Sequence, residues 1–170
     1  QALKGVARTH FAFAIKANPN LAVVKVLANC GFGADVVSGG EISRAIAGGM
    51  APADIVFSGV GKTRGELQSA LERGVGQFNI ELEEEGAVLS ALATDMGKTA
   101  TAVLRVNPDV DAGTHAKIST GMKENKFGVP IDQAGGIFSR LAALPGLEMK
   151  GLALHIGSQI QDLGPLETAY

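Results

Sequence analysis

A repeating alternation of two kinds of segment restricts the fold of this chain more than any other feature. Short β-branched or aromatic runs alternate with longer amphipathic stretches. Most repeats are about 20–25 residues long, the size of one βα unit. The strand candidates are Phe11–Ile15, Ala34–Val37, Asp54–Phe57, Gln77–Ile80, Thr101–Val106 and Lys150–Ile156. They are mostly apolar rather than alternating, as expected when both faces of a sheet are covered. The stretches between them carry helical spacing: Leu67, Ala70 and Leu71 make one stripe, Val88, Leu89 and Leu92 another, and Ala134, Ile137, Phe138 and Leu141 a third. Gly31, Gly48-Gly49 and Gly74 stand where the first three helices must stop.

Six consecutive βα units imply an α/β fold with a parallel sheet and right-handed crossovers. A closed (β/α)8 TIM-type barrel and an open doubly wound sheet both satisfy this. The placement of polar residues favours the barrel. Lys16, Ser38, Ser58, Glu81, Arg105, Asn107, His155 and Ser158 all fall at or just after the C-terminal end of a candidate strand. That is the face on which barrel enzymes carry their chemistry. A whole barrel needs about 250 residues, so the 170 present are expected to form about six units of one. The first residue is not Met and the last residues open a new helical segment, so both ends read as cut.

Composition narrows the functional classes. The net charge is −2, and no basic stripe with interleaved aromatics suits nucleic acid. No apolar run reaches the roughly 18 residues of a membrane span, and the start is no signal peptide. The single Cys30 allows no internal disulfide, which fits a reducing, cytoplasmic setting. It reads as packing near a helix end.

Lys16 is the residue with the most chemical content. It ends the run Phe11-Ala-Phe-Ala-Ile-Lys16, directly before Asn18-Pro19. A buried strand excludes an ammonium unless it is paired or neutralised. A lysine so held can lose its proton near neutral pH and attack a carbonyl, forming a Schiff base. The plainer alternative is a lysine just past the strand with its amine in water.

Three other patterns lead nowhere. Ser58-Gly-Val-Gly-Lys-Thr63 suggests a phosphate loop, but Val56 stands where the first glycine belongs. Gly31-Phe-Gly33 begins like a dinucleotide fingerprint, but its third glycine position is Val36 and it precedes a strand. His10, His115 and His155 are too scattered for a metal site. The acidic run Glu81–Glu85 reads as the solvated first turn of a helix. Glu41 likewise reads first as a helix N-terminal acid.

The chain resembles the pyridoxal-phosphate-dependent decarboxylases of the alanine-racemase-like barrel class. The matching stretches span nearly all of it: Phe13-Ala-Ile-Lys-Ala-Asn-Pro19, Gly33-Ala-Asp-Val-Val-Ser-Gly-Gly-Glu41, Ile55-Val-Phe-Ser-Gly59 with Lys62-Thr63, and Leu104-Arg-Val-Asn-Pro108. Thr114-His115 with Ile118-Ser-Thr-Gly121, Lys126-Phe-Gly128 and His155-Ile-Gly-Ser-Gln-Ile160 follow in order. The resemblance implies that residues 1–170 are part of a pyridoxal 5'-phosphate-binding barrel domain, the family's C-terminal β domain lying outside them. It implies that Lys16 holds the cofactor covalently, that the His155 ring packs on a cofactor face, and that Ser158 reaches the phosphate. Asp35 and Arg105 match residues lining the pocket, although Asp35 also reads as a strand residue facing solvent.

The implied activity is decarboxylation of an amino acid. The Thr114 to Gly128 loop and the Gln159-Ile160 ending lean toward the branch acting on meso-2,6-diaminopimelate to give L-lysine and carbon dioxide, the last step of lysine biosynthesis. Arginine, ornithine and carboxynorspermidine decarboxylases of the same class are the alternatives, as is a non-catalytic homologue serving as an interaction module. The family generally forms homodimers. The residue that protonates the cofactor ring, most of the phosphate cradle and the far-end substrate residues lie later in the family, so the 170-residue piece alone is expected to be inactive.

Overall fold

The first apolar run makes less strand than its length suggests. In a computed structural model, which describes residues 9–110, 127–158 and 160–170, only Ala12–Ala14 is strand (β1), and Ile15–Ala17 closes into a 3-10 turn. Asn20 then caps helix α1 (Leu21–Asn29), its side-chain oxygen accepting the Ala22 N–H at 2.9 Å. The chain continues through β2 (Gly33–Val36), α2 (Gly39–Ala47), β3 (Ile55–Phe57), α3 (Arg64–Arg73), β4 (Gln77–Ile80), α4 (Glu83–Asp95) and β5 (Ala100–Asn107). After β5 come β6 (Val129–Pro130), α5 (Ile131–Ala142), β7 (Leu147–Leu154) and α6 (Gly164–Ala169). The expected helix stops are in place: Gly31, Gly49 and Gly74 all have positive φ, and Gly74 is the left-handed cap of α3.

All strand pairs are parallel, and β1 to β5 add in chain order. β7 extends the sheet beside β5 from Ala100↔Leu147 to Val106↔Leu154, with a register step after Ala102. The two-residue β6 joins only the end of β5. A doubly wound sheet reverses its strand order at a switch point. Here each strand adds on the same side of the last, the progression of a (β/α)8 barrel, and about six βα units of it are present.

Strand residues of one parity face the helices. Ala34, Val36, Ile55, Phe57, Phe78 and Ile80 are buried with Leu67 of α3 and Leu89 of α4. The predicted stripe residues join them, with Val88 and Phe138 partly buried at the edge. The other parity, Asp35, Val56, Gln77 and Asn79, is only half-buried. Asp35 pairs with Val56 and Val56 with Gln77, so these three stand side by side on the inner face. Close approach between strand starts requires glycine at one point in particular. A Cβ on Gly76 would lie 1.9 Å from the Ala53 carbonyl oxygen.

Candidate active site

At the C-terminal ends of the strands lies a cavity of about 640 Å³. All five residues expected to handle the cofactor line it: Lys16 from the turn after β1, Asp35 from β2, Arg105 from β5, and His155 and Ser158 from the segment after β7. Ser58, Gly59, Val60 and Gly61 contribute the loop after β3, and Asn79 and Glu81 the end of β4.

Asp35 is held inward by a chain of hydrogen bonds across three strands. Ser58 Oγ donates to Asp35 Oδ1 at 2.6 Å, and Asn79 Nδ2 donates to Ser58 Oγ at 2.9 Å. Gln77 Nε2 donates to Asn79 Oδ1 at 2.8 Å. Asp35 is therefore a cavity residue and not a solvent-facing one. A hydrogen-bonded side chain keeps one rotamer, so this acceptor is pre-oriented.

A second polar group spans the ends of β4 and β5. Arg105 Nη1 lies 2.7 Å from Glu81 Oε1, and both side chains are largely buried. The guanidinium also faces the Phe127 ring, 5.6 Å from its centroid. The reading of Glu81–Glu85 as a solvated helix turn is thus corrected in part. Glu81 is 2% exposed and ends the strand, while Glu83, Glu84 and Glu85 form the first turn of α4. Glu85 is also turned inward, its Oε1 2.7 Å from a fully buried Lys62 Nζ. Buried carboxylates survive here because each has a cation of its own.

Lys16 corrects a second expectation. It sits on the 3-10 turn and is exposed at the cavity, so burial within a strand is not what distinguishes it. Its placement is set instead by the turn that follows. Asn18 Oδ1 accepts the Asn20 N–H at 3.1 Å, and Arg44 Nη1 donates to the Pro19 carbonyl at 3.1 Å.

The His155 imidazole has a pKa below its ordinary value. Burial is the main cause, followed by the positive charges of Arg105 and Lys16, against which Asp35 and Glu81 act in the opposite sense. By surface area the residue is exposed, but its ring lies deep enough among protein atoms to lose part of its hydration. The site thus offers a primary amine, an imidazole held toward its neutral form, and two carboxylates fixed by partners. That set can attack a carbonyl carbon and hold a flat, anionic ligand.

Two strand-end residues stay outside the cavity lining. Ser38 caps α2, its Oγ accepting the Glu41 N–H, and Asn107 is buried with its Oδ1 accepting the Asp109 N–H. Glu41 acts as expected of a helix acid, accepting the Val37 N–H at 2.8 Å. Cys30 is at the end of α1 but exposed rather than packed. Thr114, His115, the Ile118 to Gly121 stretch, Lys126 and Gln159 lie outside the described residues. Asn79 and Phe127 were not anticipated. Asn79 left a signal, an amide two residues from Gln77 in an otherwise apolar strand.

Comparison with known proteins gives a consistent answer. The family described as pyridoxal-dependent decarboxylase, pyridoxal binding domain, matches residues 1–170. Diaminopimelate decarboxylase of Zymomonas mobilis is 52% identical over 165 residues, 97% of this chain and 39% of the relative. The Pseudomonas fluorescens enzyme of that name is 55% identical over 154 residues, 90% of this chain and 37% of the relative. The crystal structure of diaminopimelate decarboxylase from Helicobacter pylori complexed with L-lysine superposes with a TM-score of 0.94 at 41% identity, covering 97% of this chain and 42% of that one. The chain thus spans about two fifths of the length of the relatives it matches.

Proposed function

Because this chain belongs to the pyridoxal-dependent decarboxylase family, we propose that the whole protein decarboxylates meso-2,6-diaminopimelate, giving L-lysine and carbon dioxide. The observation that carries this reading is the convergence of Lys16, Asp35, Arg105, His155 and Ser158 on one cavity. They are drawn from well-separated points of the sequence, and each matches a residue to which the resemblance assigns a part in holding the cofactor. Diaminopimelate is favoured among the family's substrates because the relatives that are 52–55% identical carry that name.

The cavity fits the cofactor. Its volume of about 640 Å³ lies within the range of small-molecule sites, roughly 300–1,000 Å³, and its donor set matches the groups to be held. Lys16 provides the amine for the aldehyde carbon, the His155 ring a flat surface for a ring face, and the Ser158 hydroxyl a donor for the phosphate. Asp35 and Arg105 line the pocket beside the lysine. Pyridoxal phosphate supplies a conjugated ring that takes up the electron pair left when carbon dioxide departs.

The protein's own contribution is orientation. The Gln77–Asn79–Ser58–Asp35 chain fixes one carboxylate, and Glu81 fixes the Arg105 guanidinium. Keeping His155 toward its neutral form lets the ring pack on a face without adding a third cation beside Lys16 and Arg105.

Residues 1–170 form part of the pyridoxal-binding barrel domain in this proposal, and the protein is a cytoplasmic homodimer. Among the described residues no helix is long and apolar enough to cross a membrane. The test uses the full-length protein. Borohydride reduction with pyridoxal phosphate, followed by peptide mapping, is expected to place the adduct on Lys16. Carbon dioxide release is then measured from meso-diaminopimelate, arginine, ornithine and carboxynorspermidine. Release from another of these alone would reassign the substrate, and no adduct with no release would mark a non-catalytic homologue.

A further inference from the structure

The Ser58-Gly-Val-Gly-Lys-Thr63 run is not a phosphate loop, but its lysine is fully engaged. Lys62 has no exposed side-chain surface. Its Nζ donates to the Gly59 carbonyl at 2.6 Å, the Asn79 carbonyl at 2.7 Å and Glu85 Oε1 at 2.7 Å. An ammonium has three protons, and all three are used. Gly59 and Asn79 belong to the cavity wall. Lys62 itself does not line the cavity.

The link continues through Glu85. Its second oxygen, Oε2, accepts the backbone N–H of Glu81 at 3.0 Å. Glu81 Oε1 in turn receives Arg105 Nη1 at 2.7 Å. The other oxygen of Glu81, Oε2, is buried and meets no donor among the described residues. A buried acceptor without a donor favours any rotation that finds one. Among the described residues, Arg105 is thus the one hydrogen-bond partner of the Glu81 carboxylate, and Glu85 fixes the backbone from which that side chain projects.

We propose that Lys62 and Glu85 are positioning residues for Arg105, acting through Glu81. Lys62 orients the Glu85 carboxylate, Glu85 anchors the Glu81 backbone, and Glu81 aims the guanidinium at the cavity. The importance of this for catalysis rests on the function proposed above. The positioning itself is measurable without it.

The test is made on the full-length protein, with Glu85→Gln as the main variant. A glutamine has one oxygen and one NH2, so whichever way the amide faces, either Lys62 or the Glu81 N–H loses its acceptor. Phenylglyoxal labelling of Arg105, mapped by mass spectrometry without added cofactor, is expected to become severalfold faster, with Arg64 and Arg73 of α3 as references that do not change. The dissociation constant for pyridoxal phosphate, by equilibrium dialysis, is expected to rise about 10- to 100-fold, the cost of a misplaced contact. Glu83→Gln, on the same helix turn but paired with Arg140, is expected to change neither.

If Glu85→Gln does not fold, the double variant Lys62→Met with Glu85→Leu removes both buried charges at similar volume, and faster Arg105 labelling is again expected. Arg105 labelling at the wild-type rate in a folded variant overturns the proposal, as does labelling that rises equally at all three arginines. A wild-type protein that binds no pyridoxal phosphate would defeat the functional reading instead, and the labelling would still decide this one.

Discussion

His155 concentrates the electrostatics of the site in one side chain. It is surrounded by Arg105, Lys16, Asp35 and Glu81, and burial with the two cations outweighs the two anions. Folding therefore lowers the affinity of the ring for a proton. The unfolded chain binds more protons in the range between the two values, so the contribution of His155 to stability is full above the ordinary value of about 6.5 and is lost as pH falls from there through the lower value of the folded state. The urea midpoint of the full-length protein is expected to drop between pH 7 and pH 5, and His155→Gln to reduce that drop. Arg105→Gln removes a cation and leaves Glu81 uncompensated, so it raises the His155 titration midpoint. An NMR titration in which Arg105→Gln leaves the His155 midpoint unchanged or lowers it would contradict this account.

Individual elements were legible in the sequence where the signal is local. Helix α3 is an example: its buried stripe of Leu67, Ala70 and Leu71 and its Gly74 stop both follow from spacing. Its start is a capping box. Thr63 Oγ1 accepts the Glu66 N–H, and Glu66 Oε2 accepts the Thr63 N–H at 3.1 Å. What spacing does not reveal is that Glu66 Oε1 also accepts the Gly39 N–H at 2.9 Å, tying α3 to the first turn of α2. These bonds, with the Gly39 contact the largest cause, hold the Glu66 carboxyl below its ordinary range. Its contribution is thus present above the ordinary carboxyl range and is lost as pH falls below it. Glu66→Ala is expected to cost about 1–2 kcal/mol at neutral pH, read as a shift in the urea midpoint. A cost that persists unchanged at pH 3 would show that charge is not involved. Long-range pairing is also why Glu81 and Glu85 looked solvated: their partners, Arg105 and Lys62, are 24 and 23 residues away. Strand β6 left no trace because Val129-Pro130 is too short to form a run.

At the scale of the molecule, the cavity is where six strand ends meet in polar chemistry. Its lining comes from the ends of β1, β2, β3, β4, β5 and β7, with Phe127 from the segment before β6. The lining residues run from Lys16 to Ser158 along the sequence, so an unfolded chain assembles nothing comparable. A ligand that needs the whole lining binds the folded state alone, and stabilises it by RT ln(1 + [L]/Kd), about 2.7 kcal/mol at a hundred times Kd. For the full-length protein, the thermal midpoint is therefore expected to rise with pyridoxal phosphate and to keep rising with each tenfold increase in its concentration. His155→Ala and Ser158→Ala leave Lys16 in place but remove contacts from a different strand end, so each should need more cofactor for the same midpoint. Lys16→Ala should retain part of the rise, because the remaining lining still holds the molecule by noncovalent contact. A rise abolished by Lys16→Ala but untouched at His155 and Ser158 would mean that the amine alone captures the cofactor. The strand ends would then play no part in holding it.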